Sequence, residues 1–467
     1  MISAGRFCSI AVLLVGCATP HVSEDSATPV PDPDPAACWI TADANTTLRF
    51  QGEVPTNVLL VSLDTLRTDS VGAYGSREPT PTLDNLLAES VWLSDFRACS
   101  NWTVSGMLCA LSGVPPFQLG FEPYSGDELV PGLPVRVSGL ADWYRALGYT
   151  TRLVSSNPLL RATTPPGTSY QYVMTAPWAP ADWVRRTGLE AASNLKSQEP
   201  WLLHLHFSDP HHPYEPPAPW LEGIEELPPL SVDVNDPRQM QEFENNWRHL
   251  SEERQALVLA HLEFRYRAEV AYLDHELGNL FDGLEDAGAL DDTLVVIFSD
   301  HGEQFFEHDK LQHSQGLFNE ENQAIAAFWA KNLEPAIWDG PTQQVDIPAT
   351  LAELHHLVPH HDLSGCPVGS GLADRTRFAF RYEVKKNGQG MPHLSLERAG
   401  DRLVYSWSGS TWYFNEETDP EEKHNLFSQT DADGDVLLED LWQQVLQLNT
   451  DLFPHLAPAP PRTAAND

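Results

Sequence analysis

The hydrophobic positions of this chain fall into short, nearly continuous runs separated by stretches with a helical repeat. "NVLLVSL" (57–63), "PWLLHLHFS" (200–208) and "DDTLVVIFS" (291–299) are almost unbroken, the pattern of strands covered on both faces. "YTTRLVSS" (149–156) and "QAIAAFWA" (323–330) read as two more strands. Between them, "TPTLDNLLAESV" (80–91), "SGLADWYRALG" (138–148), the region 252–286 and "DIPATLAELHHL" (346–357) carry helical spacing. The second ends at Gly148, and the region 252–286 is one long or broken helix. Strands alternating with helices predict an α/β domain, a mostly parallel sheet covered on both sides.

The texture changes from about Arg375. "RFAFRYEV" (377–384), "LSLERAG" (394–400) and "RLVYSWSGSTWYFNEE" (402–417) alternate apolar with polar residues, are rich in aromatics and are joined by Gly and Asn turns. They predict an antiparallel sheet, and "DVLLEDLWQQVLQLN" (435–449) a helix behind it. The expected organisation is a main domain over 53–370, a smaller antiparallel-sheet-plus-helix subdomain over 371–456 and a disordered tail over 457–467.

Both ends of the charge scale narrow the function. The 467 residues hold 66 acids against 28 bases, a formal net charge of −38. Such a surface excludes nucleic acid as a natural partner and is mostly a solvated acidic exterior. At the N-terminus, Arg6 precedes the apolar run "CSIAVLLVG", the pattern of a secretory signal rather than a membrane span. Leu14-Val15-Gly16-Cys17 resembles the bacterial lipobox, which implies a signal peptide over 1–16, cleavage before Cys17 and lipidation of its thiol. The expectation is an exported lipoprotein, periplasmic or at the cell surface and membrane-anchored. The Pro- and Asp-rich stretch after Cys17 cannot bury a core and reads as a tether over 17–52. Beyond Cys17 stand Cys38, Cys99, Cys109 and Cys366. An exported protein permits disulfides, and four cysteines allow three full pairings among which sequence does not choose.

Candidate chemistry gathers where the strands end. In open α/β sheets, ligands sit beyond the carboxyl ends of the strands. Asp64 follows the first run, Asp300 and His301 follow "DDTLVVIFS", and "SDPHHPY" follows "PWLLHLHFS". Thr103 lies just before "CALSG". Alone, each Asp would serve as a cap or turn residue. Together, two carboxylates, an imidazole and a hydroxyl form a ligand set for one divalent cation.

These residues lie in segments that resemble the sulfatase family of the alkaline phosphatase superfamily. "NVLLVSLDTLRTDSVGAYG" is similar to its first metal segment, "HFSDPHHPYEPP" to its internal histidine motif, and "YRAEVAYLDHELGNLFDGLEDAGALDDTLVVIFSDHGE" to its long helix and second metal segment. "TPTLDNLLAESVWLSDFRA", "VDIPATLAEL" and "YFNEETDPEEKHNL" resemble further landmarks, in family order from about residue 55 to 426. The resemblance implies an alkaline-phosphatase-like fold and assigns Asp64, Asp300, His301 and the Thr103 hydroxyl to one divalent metal ion, Ca²⁺, Mn²⁺ or Zn²⁺. Thr103, ten residues before Gly113, falls at the nucleophile position. His211 would bind ester oxygens or protonate the leaving group, and His313 falls where the family contacts the charged ester. His308, in the same segment, is a weaker match. His204 and His206 share one face of a strand and read as core or supporting groups.

The departures are chemical. Family nucleophiles are cysteine or serine converted to formylglycine within C/S-x-P-S-R, whereas this chain has Thr103-Val104-Ser105-Gly106-Met107. The formylglycine route is closed, and direct hydrolysis of a threonine sulfate is harder. Threonine serves elsewhere in the superfamily for phosphoryl transfer, activated by a metal. Met107 removes a basic residue, a loss worth roughly 10²–10³ in rate at such sites. Thr65 replaces a second N-terminal aspartate. The leading expectation is a metal-dependent hydrolase of sulfate or phosphate esters, on a small molecule or a glycan, with Thr103 as nucleophile. The alternatives are a degenerate member that binds an anionic or glycan ligand without turnover, or a phospho-group transferase of the cell envelope.

Overall fold

The computed structural model describes residues 48–115, 137–164, 167–196, 200–313, 316–370, 375–384, 390–406, 410–427 and 439. The expected signal peptide, most of the expected tether, the helix over 435–449 apart from residue 439, and the tail lie outside the described residues. The folded domain takes in the end of the stretch assigned to the tether: Leu48 is buried and Phe50 bridges Leu333. Among the described residues no helix is long and apolar enough to cross a membrane.

The main sheet has eight strands: β1 (Asn57–Leu63), β2 (Val91–Leu93), β3 (Thr150–Ser155), β4 (Tyr172–Thr175), β5 (Trp201–Phe207), β6 (Thr293–Ser299), β7 (Ala326–Trp329) and β8 (Ala336–Trp338). Their order is β8-β2-β7-β6-β1-β5-β3-β4. Every neighbouring pair is parallel except the two that involve β7. The three continuous apolar runs are the central strands β5, β1 and β6, buried at every position. The short edge strands β4 and β8 are partly exposed and carry no such pattern.

Alternation along the central strands splits the core in two. Leu59, Val61, Val295, Ile297, Leu203 and Leu205 join one cluster, with Leu273, Leu277 and Leu280 of the long helix. Val58, Leu60, Leu294, Val296, Phe298 and Leu202 join the other. Seven helices matter here: α1 (Pro81–Ala88), α2 (Thr103–Ser112), α3 (Leu140–Ala146), α4 (Ala181–Leu195), α5 (Pro237–Asn246), α6 (Glu252–Asp286) and α7 (Asp346–His355). The region 252–286 is a single unbroken helix, α6. It is capped by the Ser251 side chain, which accepts from the Arg254 N–H, and Glu252 and Glu253 complement its dipole.

The C-terminal region forms a separate antiparallel sheet of β9 (Arg377–Val384), β10 (Gly390–Arg398), β11 (Asp401–Ser406) and β12 (Thr411–Asn415). It docks onto the main domain through Arg97, which pairs with Glu397 and Glu416, and through Arg402, which donates to the Asn319 and Asn322 side-chain carbonyls and to the Leu317 carbonyl. The full pairing of four cysteines is not reached. Cys366 is disulfide-bonded, but Cys99 and Cys109 are buried free thiols packed beside Val345.

Candidate active site and metal centre

Register brings the chemistry to one rim. Leu63 is aligned with Phe207 and with Ser299, so β1, β5 and β6 end level. The backbone stays paired one step further, Asp64 N–H to Phe207 O and Asp300 N–H to Leu63 O. Asp64 and Asp300 therefore emerge side by side, and His301 follows. Thr103 opens α2, with Trp102 as its N-cap, so the positive end of the helix dipole faces its hydroxyl. Two glycines permit the close approach. A side-chain carbon at Gly106 would stand 2.8 Å from the Asp300 carbonyl oxygen, and one at Gly302 would collide with the Glu320 carbonyl. Where the family motif has a serine, Gly106 lets α2 press against the end of β6.

The resulting cluster is buried and only loosely bonded. Thr103 Oγ1 lies 3.4 Å from Asp64 Oδ1 and 3.5 Å from His301 Nε2. His301 Nε2 lies 3.8 Å from both Asp64 Oδ1 and Asp300 Oδ2. Asp64, Asp300 and His301 each offer a ligand atom within 4.8 Å of the others. The Nδ1–H of His301 donates to the Gly302 carbonyl at 2.9 Å, which leaves the Nε2 lone pair facing the carboxylates. Asp300 Oδ1 accepts from the Thr65 and His301 N–H groups, but Oδ2 is buried with no hydrogen-bond partner. An orphaned carboxylate oxygen, a second carboxylate, an imidazole lone pair and a hydroxyl that converge in this way fit a divalent cation.

The electrostatics agree with that fit. Burial pushes the Asp300 carboxyl well up, and the neighbouring Asp64 adds to the effect. Burial also acts on Asp64, but the imidazoles of His211, His206 and His301 outweigh it and hold that carboxyl well below the usual range. Burial lowers His301 to about 3 and His313 to about 4, so both imidazoles are neutral at physiological pH. Thr65 carries the left-handed φ of 55° and a buried, unpartnered hydroxyl, a strained backbone of the kind found at functional sites.

His211 and His313 form the outer wall. Their ring centroids are 4.9 Å apart, and His313 is 4.6 Å from His301. His313 Nδ1–H donates to Glu303 Oε1 at 2.9 Å, and His211 Nδ1–H donates to the His212 carbonyl. In each ring Nε2 is the nitrogen that these bonds leave unengaged. His308 is elsewhere: its Nδ1 bonds Glu320 at 2.6 Å, its Nε2 bonds the Glu422 carbonyl at 3.1 Å, and its ring stacks on Phe318. His204 and His206 both bond Ser62 Oγ at 2.7 Å, and His206 Nε2 lies 3.4 Å from Asp64 Oδ2. His206 thus supports Asp64, whereas His204 bonds Ser62 and the Tyr170 hydroxyl.

Sequence reasoning missed three neighbours. Asn157, just past the end of β3, donates from Nδ2 to Asp64 Oδ2 at 2.7 Å. The strand-end rule that found Asp64 applies equally to "VSSN". Glu303 is fully buried, accepts from Tyr214 and His313, and is pushed up to about 7 by burial against the pull of the surrounding histidines. Trp178 is 49% exposed yet lies 4.8 Å from the His211 ring, and no local pattern announces it.

The family model described as Sulfatase matches residues 56–357. An arylsulfatase of Clostridium perfringens is 22% identical over 275 residues, 55% of this chain and 56% of its own length. A choline-sulfatase of Rhizobium meliloti is 26% identical over 259 residues, 51% of this chain and 48% of its own length. The chain thus spans about half the length of these curated relatives. Among solved structures, a 2-O GAG sulfatase aligns with a TM-score of 0.67 at 17% identity, covering 87% of this chain and 95% of its own. The phosphonate monoester hydrolase of Agrobacterium radiobacter aligns with a TM-score of 0.62 at 19% identity, covering 85% and 96%. These two likenesses fix the alkaline-phosphatase-like fold, a large mostly parallel sheet with a small antiparallel subdomain. With its matched segment carrying the strand-end cluster described above, the chain belongs to the sulfatase family.

Proposed function

We propose that this chain hydrolyses phosphoric or sulfuric esters with Thr103 as its nucleophile, phosphoric esters being the better substrates. The observation that carries this reading is the placement of Thr103 Oγ1 against Asp64 and His301 at the start of α2. A divalent cation held by Asp64, Asp300, His301 and the Thr103 hydroxyl would lower that hydroxyl's pKa, so that its proton passes to solvent, and would offset charge on the ester.

The chain's own groups account for the rest. Thr103 Oγ forms a bond to phosphorus or sulfur as the bond to the leaving oxygen breaks. An anionic ester between His211 and His313 raises the proton affinity of both rings, and one Nε2–H protonates the departing alcohol. The imidazole, now neutral, takes a proton from water as that water cleaves the threonine ester, which restores Thr103 and releases phosphate or sulfate. Asn157 and His206 hold Asp64 in place during both steps. A threonine ester has no geminal hydroxyl through which to expel sulfate, and this makes the second step easier for phosphorus.

The test is an ester panel of aryl phosphates, phosphodiesters, phosphonates and sulfates with Mn²⁺, Zn²⁺ or Ca²⁺ added. Turnover is expected with at least one ion, and Thr103→Ala is expected to lower it by on the order of 10⁴-fold or more. Equal turnover by Thr103→Ala would remove Thr103 from the chemistry. The same reading places the protein outside the cytoplasm on a lipid-modified Cys17, supported by the sequence around residues 6–17. Cys17→Ala should move it from the membrane fraction to the soluble fraction, and an unchanged distribution would refute the anchor.

A further inference from the structure

A file of aromatic rings runs from the metal centre to the surface. His313 is 4.6 Å from His301, His211 is 4.9 Å from His313, and Trp178 is 4.8 Å from His211, centroid to centroid. His301 is fully buried, His313 and His211 are half-buried, and Trp178 is exposed. A lone exposed aromatic needs no explanation, but this one ends a line that begins at a candidate metal ligand. The chemistry proposed above employs the three imidazoles and leaves the indole without a task.

The backbone holds the indole there under strain. The Ala179 N–H donates to the Ala176 carbonyl at 3.0 Å and closes a turn with Pro177 and Trp178 at its centre. Proline fixes its φ near −65°, and Trp178 has a φ of 57°. That combination belongs to a type II turn, whose third position favours Gly or Asn because φ is positive there. A bulky side chain at such a position is an outlier of the kind found at functional sites. The turn is pinned to the rim of the main sheet. The Ala176 N–H donates to the Ser155 carbonyl at 3.1 Å and the Trp178 N–H to the Ser156 carbonyl at 2.7 Å, next to Asn157, which holds Asp64. The turn would be better served by Asn or Gly, and an exposed ring adds little to the core. Neither requirement of folding accounts for tryptophan.

We propose that Trp178 determines specificity: its indole receives the alcohol part of the ester and selects alcohols that carry a flat ring over open-chain ones. This assignment rests on the ester-hydrolase reading above. The leaving oxygen has to lie within about 3 Å of the imidazole that protonates it, so the carbons beyond it come within reach of a ring packed beside His211. The negative face of an indole attracts the C–H groups of another ring. The C–H face of a pyranose and the edge of an aryl group both offer that chemistry, already ordered, whereas an open chain loses rotamer freedom when it lies against the indole.

The experiment compares kcat/KM for three esters of primary alcohols with similar leaving ability: benzyl, glucopyranose 6- and n-butyl, each as phosphate and as sulfate. It uses the full-length protein with the activating metal. Trp178→Asn removes the ring and suits the turn, and Trp178→Phe keeps a ring. In Trp178→Asn the preference for a ring ester over the butyl ester is expected to fall by about 10-fold, and Trp178→Phe should recover most of it. A fall for the benzyl ester alone identifies an aryl alcohol, a fall for the glucopyranose ester alone identifies a sugar, and a fall for both supports the shared ring chemistry. Equal losses on all three esters would mean that the indole only steadies His211, and no loss on any would mean that it does not meet the substrate. Either result overturns the proposal and leaves the hydrolase reading standing. If the native protein turns over none of the esters, the hydrolase reading fails and the role of Trp178 with it.

Discussion

Two groups of histidine and carboxylate draw on the segment 301–320, and they have solved the problem of burial in opposite ways. In the first, Glu320 and the Glu422 backbone hold His308, and the Asn319 N–H and Arg402 hold the Glu422 carboxylate. His308 bonds Glu320 at 2.6 Å and the Glu422 carbonyl at 3.1 Å, while Arg402 pairs with the Glu422 carboxylate at 3.2 Å. Burial alone would lower His308, but Glu320 outweighs it and raises the imidazole to about 9. The cluster is a closed ion network that clamps the C-terminal sheet to the main domain. In the second, Asp64, Asp300, His301 and Thr103 stand 3.4 to 3.8 Å apart, the imidazole is neutral and one carboxylate oxygen has no partner. Both groups offer three possible ligand atoms within reach of one ion. The difference lies in whether the protein has already supplied the counter-charge. The first site has spent its donors on structure, and the second has kept them for something from outside.

The comparison can be broken most forcefully at Asp300. Asp300→Asn should lower turnover by on the order of 10³-fold or more, the several kcal/mol that a divalent ion supplies. It should also abolish the rise in melting temperature on adding metal. Without metal the same variant should melt above the native chain, because it removes a carboxyl that burial and Asp64 both disfavour in its charged form. Thermal melts with and without Mn²⁺ or Zn²⁺ check both signs, and a metal-induced rise that survives in Asp300→Asn would show that the ion binds elsewhere.

The smaller effect lies at the closed network. His308→Ala should leave metal dependence intact but cost about 1–3 kcal/mol of stability at neutral pH, since it strands a buried partner. The pH dependence follows from linkage. A histidine raised from 6.5 to about 9 contributes fully below 6.5, and its contribution fades as pH rises through 9. Urea unfolding at pH 6 and at pH 9.5 should therefore show a larger gap between native and variant at the lower pH. A gap that grew with pH would contradict the charged His308–Glu320 pair.

What the sequence made legible follows from where each signal is written. Central strands announce themselves because both faces are buried, so β1, β5 and β6 are continuous apolar runs. Asp64, Asp300 and His301 stand immediately after them, where an open sheet presents its ligands. The edge strands β4 and β8 are short and partly exposed and leave no such trace. His308 and His313 share one twelve-residue stretch of similar texture. Only tertiary neighbours send one to the subdomain junction and the other to the site. Trp178 reaches His211 from a loop between β4 and α4 and has no local signature. Met107 shows the limit most clearly. By spacing it reads as a lost charge, whereas in the fold it is a core side chain.

The central claim is that the open cluster exists to let Thr103 take the phosphoryl or sulfuryl group. The most direct measurement is to quench turnover of the preferred ester in acid, digest the protein and weigh the peptide that contains Thr103. The prediction is a population of that peptide heavier by one phosphoryl or sulfuryl group, absent without metal and absent in Thr103→Ala. Turnover with the group found on another residue, or undiminished turnover by Thr103→Ala, would contradict the account.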